Sequence, residues 1–245
     1  MHSNGDARAI AVCYNVQTTT DAKHKLIVDF EVTNQPTDKG QLLPMAKRAK
    51  EVLGVERLTN LADRGYYDGA DILACEQSGI ECLVAKPKSG PKKSDEFRRD
   101  RFIYDREQDC YVCPAQNRLV FRRIDKSKGK VYRAYENYAA CRVCLRRVEC
   151  TKNSWRKILR LPYQDVLDGV DRRTKTNGVL YRSRSEIVEH PFGVVKAVWG
   201  FRQFLCRGLV KVTAEAALSF LAYNFRRVFN IFVTDGARLA AIFSR

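Results

Sequence analysis

Nowhere in the 245 residues is there a run of about 18 apolar side chains, the length a helix needs to cross a bilayer. The nearest, residues 209–232, is broken by Lys211, Glu215, Asn224, Arg226 and Arg227. Residues 1–16 lack the apolar stretch of a signal peptide, and internal repeats are missing as well. Membrane and secreted classes lose their support. Without an export signal, the nine cysteines read as reduced thiols or metal ligands rather than disulfides. Acid is in short supply too: 28 Asp and Glu face 44 Lys and Arg, a net charge of +16. An excess of that size points to a polyanionic partner. What is present is core material. Hydrophobic residues make up 45% and charged ones 29%, which excludes disordered and collagen-like classes, and the length allows one or two domains.

The first third reads as α/β. Residues 8–18 and 25–33 are rich in β-branched and aromatic side chains around a polar 19–24, which predicts an antiparallel pair. Leu42, Met45, Ala49 and Leu53 then form one stripe of a helix over 41–53, stopped by Gly54. A short strand at 57–62, a helix at 68–78 and a strand at 81–85 follow. The order β-β-α-β-α-β predicts parallel strands after a hairpin.

From Lys86 the character changes. Residues 86–101 read as a charged loop, with short strands at 101–104 and 118–123 and clustered cysteines beyond. Residues 86–130 carry 14 Lys and Arg against 7 Asp and Glu, so the basic charge is concentrated here. From Gln164 the pattern is helical: Val188, Phe192, Val195 and Trp199 share a stripe, as do Leu209, Val212, Ala216, Phe220 and Tyr223. The expected divisions are 1–85, an insert at 86–160, and a helical completion at 161–245.

Two carboxylates stand out. Asp63 follows the strand at 57–62, and the C-terminal ends of strands are where α/β sheets bind ligands. The plainer role is a cap for the turn that follows. Glu189 and Lys196 would share a helical face with Gly193 between them, although Pro191 implies a kink or a helix start. An ordinary amphipathic helix with solvated charges is the alternative.

Asp63 with Gly65-Tyr66-Tyr67, the stretch Tyr14-Asn15-Val16-Gln17 with Asp21-Ala22-Lys23-His24, and Glu189-His190-Pro191-Phe192-Gly193 with Lys196 together resemble the DDE transposases of bacterial insertion sequences. The similarity is to the branch with a cysteine-containing insert, and it runs from about residue 5 to 232. It implies an RNase H-like core whose three acids hold two Mg²⁺ ions that cut and rejoin DNA. It assigns Asp63 as the second acid and Glu189 as the third, with Glu189-x6-Lys196 fitting the family's acid-to-lysine spacing. Hard oxygen ligands suit Mg²⁺, and two such ions would steady the attacking and leaving oxygens of a phosphodiester. Lys196 is implied as a contact to double-stranded DNA, and Arg64 and Arg184 are further candidates; Tyr181 and Arg184 fit the family's tyrosine–arginine element with a one-residue offset. The first acid of such a core belongs on a strand ahead of the hairpin. Asp6 and Asp21 are the nearest candidates and neither sits where the pattern wants it, so a partial, inactive copy is expected. A non-catalytic nucleic-acid-binding remnant and an RNase H-like nuclease are the alternatives. The resemblance also implies a cytoplasmic, nucleoid-associated protein that forms a homodimer on DNA.

Cys113, Cys141, Cys144 and Cys150 match the family's insert: a gap of 27, a Cys-x2-Cys, then a gap of 5. Two thiolates from such a knuckle and two more close a tetrahedral Zn²⁺ site, which would hold together an insert too polar for its own core. Cys110 makes a second Cys-x2-Cys with Cys113, so a Cys110/Cys113/Cys141/Cys144 set competes, and thiols without metal are the simplest case. Cys13, Cys75, Cys82 and Cys206 lie in apolar segments and read as core. His24, His190, Trp199 and Phe201 read more simply as structural than as DNA contacts. The basic runs at 86–101 and 122–130 suit phosphate contact or a solvated loop.

Overall fold

The computed structural model describes residues 2–3, 6–10, 13–87 and 95–234, with the backbone alone up to residue 10. Strands β1 (His2–Ser3) and β2 (Asp6–Ile10) pair antiparallel. The predicted hairpin is β3 (Asn15–Thr20) with β4 (Ile27–Thr33), registered from Asn15 opposite Thr33 to Thr20 opposite Ile27. Its first strand starts at Asn15, because residues 8–10 belong to β2.

Helix α1 (Leu42–Leu53) buries Leu42, Met45, Ala46 and Ala49 against β3 and β4. Gly54 ends it at φ +62, the left-handed conformation that glycine takes without a Cβ penalty. Strand β5 (Leu58–Ala62) and β6 (Ile80–Val84) pair in parallel, as expected, joined by α2 (Gly69–Gln77). The Asp68 carboxylate caps α2 by accepting from the Ala70 N–H at 2.9 Å. The hairpin and the parallel pair are not hydrogen-bonded into one sheet.

Two compact units emerge: Met1–Lys86 with Gly169–Arg245, and Pro87–Asp168. The second holds an antiparallel five-stranded sheet in the order β11-β10-β9-β8-β7. Its strands are β7 (Ile103–Asp105), β8 (Cys110–Val112), β9 (Arg118–Ser127), β10 (Lys130–Glu136) and β11 (Lys157–Arg160), with the short helices α3 (Tyr138–Arg142) and α4 (Arg147–Cys150) before β11. This corrects the expectation that the insert is too polar for a core. Phe102, Tyr111, Leu119, Tyr135 and Ile158 form one, all buried. The polar look came from β9, whose residues beyond Leu119 are mostly exposed.

Helix α5 (Gln164–Thr176) carries the chain back to the first unit, where the Thr174 hydroxyl accepts from the Val84 N–H at 3.1 Å. Helix α6 (Gly178–Phe192) packs on β3 and β5. Pro191 lies inside it, and the helix runs into a π-helical turn, Gly193–Val198, so Glu189 sits within the helix rather than ahead of it. A proline removes a backbone donor, and the wider turn that follows absorbs the break. Helix α7 (Leu209–Thr234) buries Val212, Ala216, Phe220 and Tyr223 with Ile27, Val32 and Val195. Asn224 fixes its register: its amide accepts from the Ile27 N–H at 2.9 Å and donates to the Ile27 C=O at 2.8 Å. Among the described residues no helix is long and apolar enough to cross a membrane.

Candidate functional site

Asp63 stands immediately after β5, at the C-terminal end of a parallel strand. Its Oδ1 accepts from the Gly65 N–H at 2.6 Å and caps the short 3₁₀ turn Arg64–Tyr66. The capping role considered from sequence is therefore real. It is not the whole of the environment. A Cβ placed on Gly65 would meet Asp63 Oδ1 at 2.9 Å and Asp38 Oδ2 at 2.8 Å, so the two carboxylates converge on one point. Only a glycine leaves that point open.

Asp38 was not found by sequence reasoning. It lies in the polar loop before α1, where neither periodicity nor spacing marks it. Its Oδ1 accepts from Asn15 Nδ2 and Gln17 Nε2, both at 2.9 Å, so β3 holds it in place. Gln17 is 1% exposed, and its Oε1 accepts from the Tyr66 hydroxyl. Burial pushes the Tyr66 phenol far above its ordinary range, and the negative charges of Asp38 and Asp63 push the same way, against the Arg184 guanidinium. Tyr66 is thus a fixed neutral hydroxyl.

Glu189 is carried by α6. It is exposed on α6, and among the described residues its carboxylate makes no hydrogen bond or ion pair. The part of α6 whose charge reaches Tyr66 is Arg184, one turn and more upstream. Arg184 is half-buried, lies 5.6 Å from the Tyr181 ring centroid, and leaves its buried Nε without a partner. Lys196, within the π-helical turn, is exposed, with its amine 5.0 Å from the Phe192 ring centroid. Arg64 is exposed next to Asp63.

Carboxylates are the donors a hard divalent ion takes, so Asp38 and Asp63 fit Mg²⁺ in kind. They do not fit in number. Among the described residues no group of three or more Asp, Glu, His and Cys is arranged to hold a metal ion.

The cysteines separate cleanly. Cys113, Cys141, Cys144 and Cys150 line one small cavity in the second unit with Phe97, Phe102 and Leu119, while Cys110 is buried at 1% exposure and is not among its walls. Burial pushes the Cys150 thiol up, and Cys113, Cys141 and Cys144 push it further, against the Arg156 guanidinium. The four sulfurs therefore feel one another without yet being closed on a common point. Cys75 and Cys82 are fully buried, as expected of core thiols. Cys206 is exposed and Cys13 only half-buried, which corrects the core reading for both.

The remaining residues take structural roles. His190 Nδ1 lies 2.8 Å from the Tyr223 hydroxyl, whose proton goes to the Lys25 C=O, and His24 sits 3.4 Å from Asp21. Trp199 and Phe201 pack against the α7 core. Of the first-acid candidates, Asp21 caps the β3–β4 turn through the His24 N–H, and the Asp6 side chain lies outside the described residues.

A family model described as a transposase DDE domain matches residues 5–225. No curated protein and no solved structure matches the chain.

Proposed function

Because the chain belongs to the transposase DDE domain family, we propose that it is the core of an insertion-sequence transposase that cleaves DNA and joins its strands with the help of Mg²⁺. One observation carries the reading beyond the family. Asp63 follows a parallel strand and shares its point of approach with a second carboxylate, Asp38, beside the open Cα of Gly65. The order of hairpin, helix and two parallel strands supports an RNase H-like core. Asp63 and Glu189 are the acids this reading assigns to the ion, which would supply stabilisation of charge on the reacting oxygens. Asp38 is the carboxylate that converges with Asp63 beside Gly65.

What the chain's own residues do follows from their placement. Asn15 and Gln17 hold Asp38, the Tyr66 hydroxyl holds Gln17, and the Gly65 N–H holds Asp63, so both carboxylates keep a fixed direction. Arg64 and Lys196, both exposed, and Arg184, with a free donor, are the proposed contacts to the phosphates of duplex DNA. In the second unit the Cys113/Cys141/Cys144/Cys150 set is the proposed structural zinc site, because those four share a cavity and Cys110 does not. On this reading the protein works at the nucleoid, as a dimer when it holds two DNA ends.

The test is nicking of supercoiled plasmid by the full chain with Mg²⁺ or Mn²⁺. Metal-dependent nicking that disappears in Asp63→Asn and in Glu189→Gln is the expected result. Nicking that survives Glu189→Gln removes that residue from the site. No nicking under any condition sinks the catalytic reading. A second reading then stands, favoured by the lack of a three-donor metal group among the described residues: a non-catalytic protein that only binds nucleic acid.

A further inference from the structure

The five-stranded sheet of the second unit is not equally deep along its strands. Strand β8 pairs with β9 only at Arg118, Leu119 and Val120, and β11 pairs with β10 only from Arg133 to Glu136. Past those points β9 and β10 continue, paired with each other alone, to Ser127 opposite Lys130. Residues 121–132 therefore form a ribbon whose β9 edge carries no neighbouring strand, and from Asp125 opposite Tyr132 to the tip, beyond β11, both outer edges are free of strands. Its tip is a two-residue turn, Lys128 at φ +50 and Gly129 at φ +73, the mirror-image turn whose twist matches a right-twisted ribbon. Lysine is an odd choice for a left-handed backbone, which asparagine or glycine takes with less strain, and it puts a cation at the outermost point.

The charge on this ribbon is one-sided. It carries Arg122, Arg123, Lys126, Lys128 and Lys130 against Asp125 alone. Asp125 is already answered by Lys157 at 2.8 Å, and Arg123 is held by the buried Glu136 at 2.9 Å. Arg122, Lys126 and Lys128 have no acidic partner among the described residues, and all three are exposed. The register passes over Arg122, which stands in a bulge where its side chain is turned out of the regular alternation. Ile124 and Val131, exposed by 54% and 44%, lie among these cations. Nothing in the fold needs two aliphatic side chains in water there.

We infer that the 121–132 ribbon is an arm that grips duplex DNA, with Arg122, Lys126 and Lys128 on the phosphates. A two-stranded ribbon has the width the major groove admits, and a mixed cationic and aliphatic face suits phosphates flanking sugar and base edges. The choice of duplex DNA among polyanions rests on the transposase reading.

The test measures binding of the full chain to a short duplex by fluorescence anisotropy over a range of salt. Each phosphate contact contributes about 0.9 to the slope of log affinity against log salt, so Arg122→Gln/Lys126→Gln/Lys128→Gln lowers that slope by about 2 to 3. A control with equal charge removed elsewhere, Lys47→Gln/Arg57→Gln/Lys211→Gln, changes it by less than about 1. Matching thermal melts establish that both variants fold. The proposal is overturned if the control loses as much as the ribbon variant, if the ribbon variant binds like the parent, or if the parent prefers single-stranded RNA or binds no duplex. Plasmid nicking by the same proteins keeps the two ideas apart: a parent that binds through the ribbon without nicking refutes the catalytic reading alone.

Discussion

Replacing Asp38 with asparagine sets stability against activity. The two carboxylate oxygens lie 2.8 and 2.9 Å from the same point above Gly65. At a separation of about 5 Å, two like charges repel by about 0.8 kcal/mol in bulk water and about 3.3 kcal/mol at an effective dielectric constant of about 20. Both side chains are only half-buried, so the lower end applies, about 1 kcal/mol after solvent screening. Asparagine keeps an oxygen for the Asn15 and Gln17 amides and turns an N–H towards Asp63, so nothing that holds the loop is lost. Asp38→Asn is therefore expected to raise the melting temperature of the metal-free protein by about 2 to 4 °C, the shift that about 1 kcal/mol produces at this size. Added Mg²⁺ stabilises a protein that binds it in the folded state alone. The parent should gain melting temperature with Mg²⁺ and the variant should gain less, while plasmid nicking falls. Thermal melts with and without Mg²⁺ read the outcome. A variant that melts lower than the parent in the absence of metal, or that nicks equally well, refutes the claim that Asp38 and Asp63 are a charged pair kept for function.

Two further outcomes follow from the second unit. If the four cysteines that share a cavity hold zinc, protein purified without chelator carries about one zinc per chain. That zinc is retained in Cys110→Ser and lost in Cys113→Ser and Cys150→Ser; elemental analysis showing the reverse pattern, or no zinc, removes the site. For Asp109, burial pushes the carboxyl up, but the hydroxyls of Tyr104 and Tyr135 at 2.6 Å and the Arg133 guanidinium outweigh it and hold it below the usual carboxylate range. A depressed folded value means that the unfolded chain binds more protons in acid. The stabilisation is therefore complete above about pH 4 and drains away as pH falls through the folded value. Urea unfolding of Asp109→Asn should show less loss over that acid window than the parent. An identical pH profile would count against the assigned interactions.

What could be read directly was what is local. The apolar stripe of α1 and its glycine stop, the parallel β5 and β6, the stripe of α7, and the position of Asp63 after a strand all depend on neighbours a few residues apart. Periodicity records such relations because side-chain burial drives it. The insert was harder. Leu119, Tyr135 and Ile158 meet in one core from three separate strands, and no stretch of sequence shows more than one of them. The exposed half of β9 hid the sheet further, since a strand wet on both faces has no alternation to detect.

The sequence alone determined that this is a basic α/β chain with an acid at the end of a parallel strand, because charge is additive and strand or helix patterns are set by adjacent residues. The tertiary structure decided the rest. It brought Asp38 against Asp63, seated Cys150 rather than Cys110 with the other three thiols, and freed a cationic ribbon from its sheet. Each of these is a meeting of residues far apart in the chain. Packing of a whole core brings them together, and no local spacing encodes it.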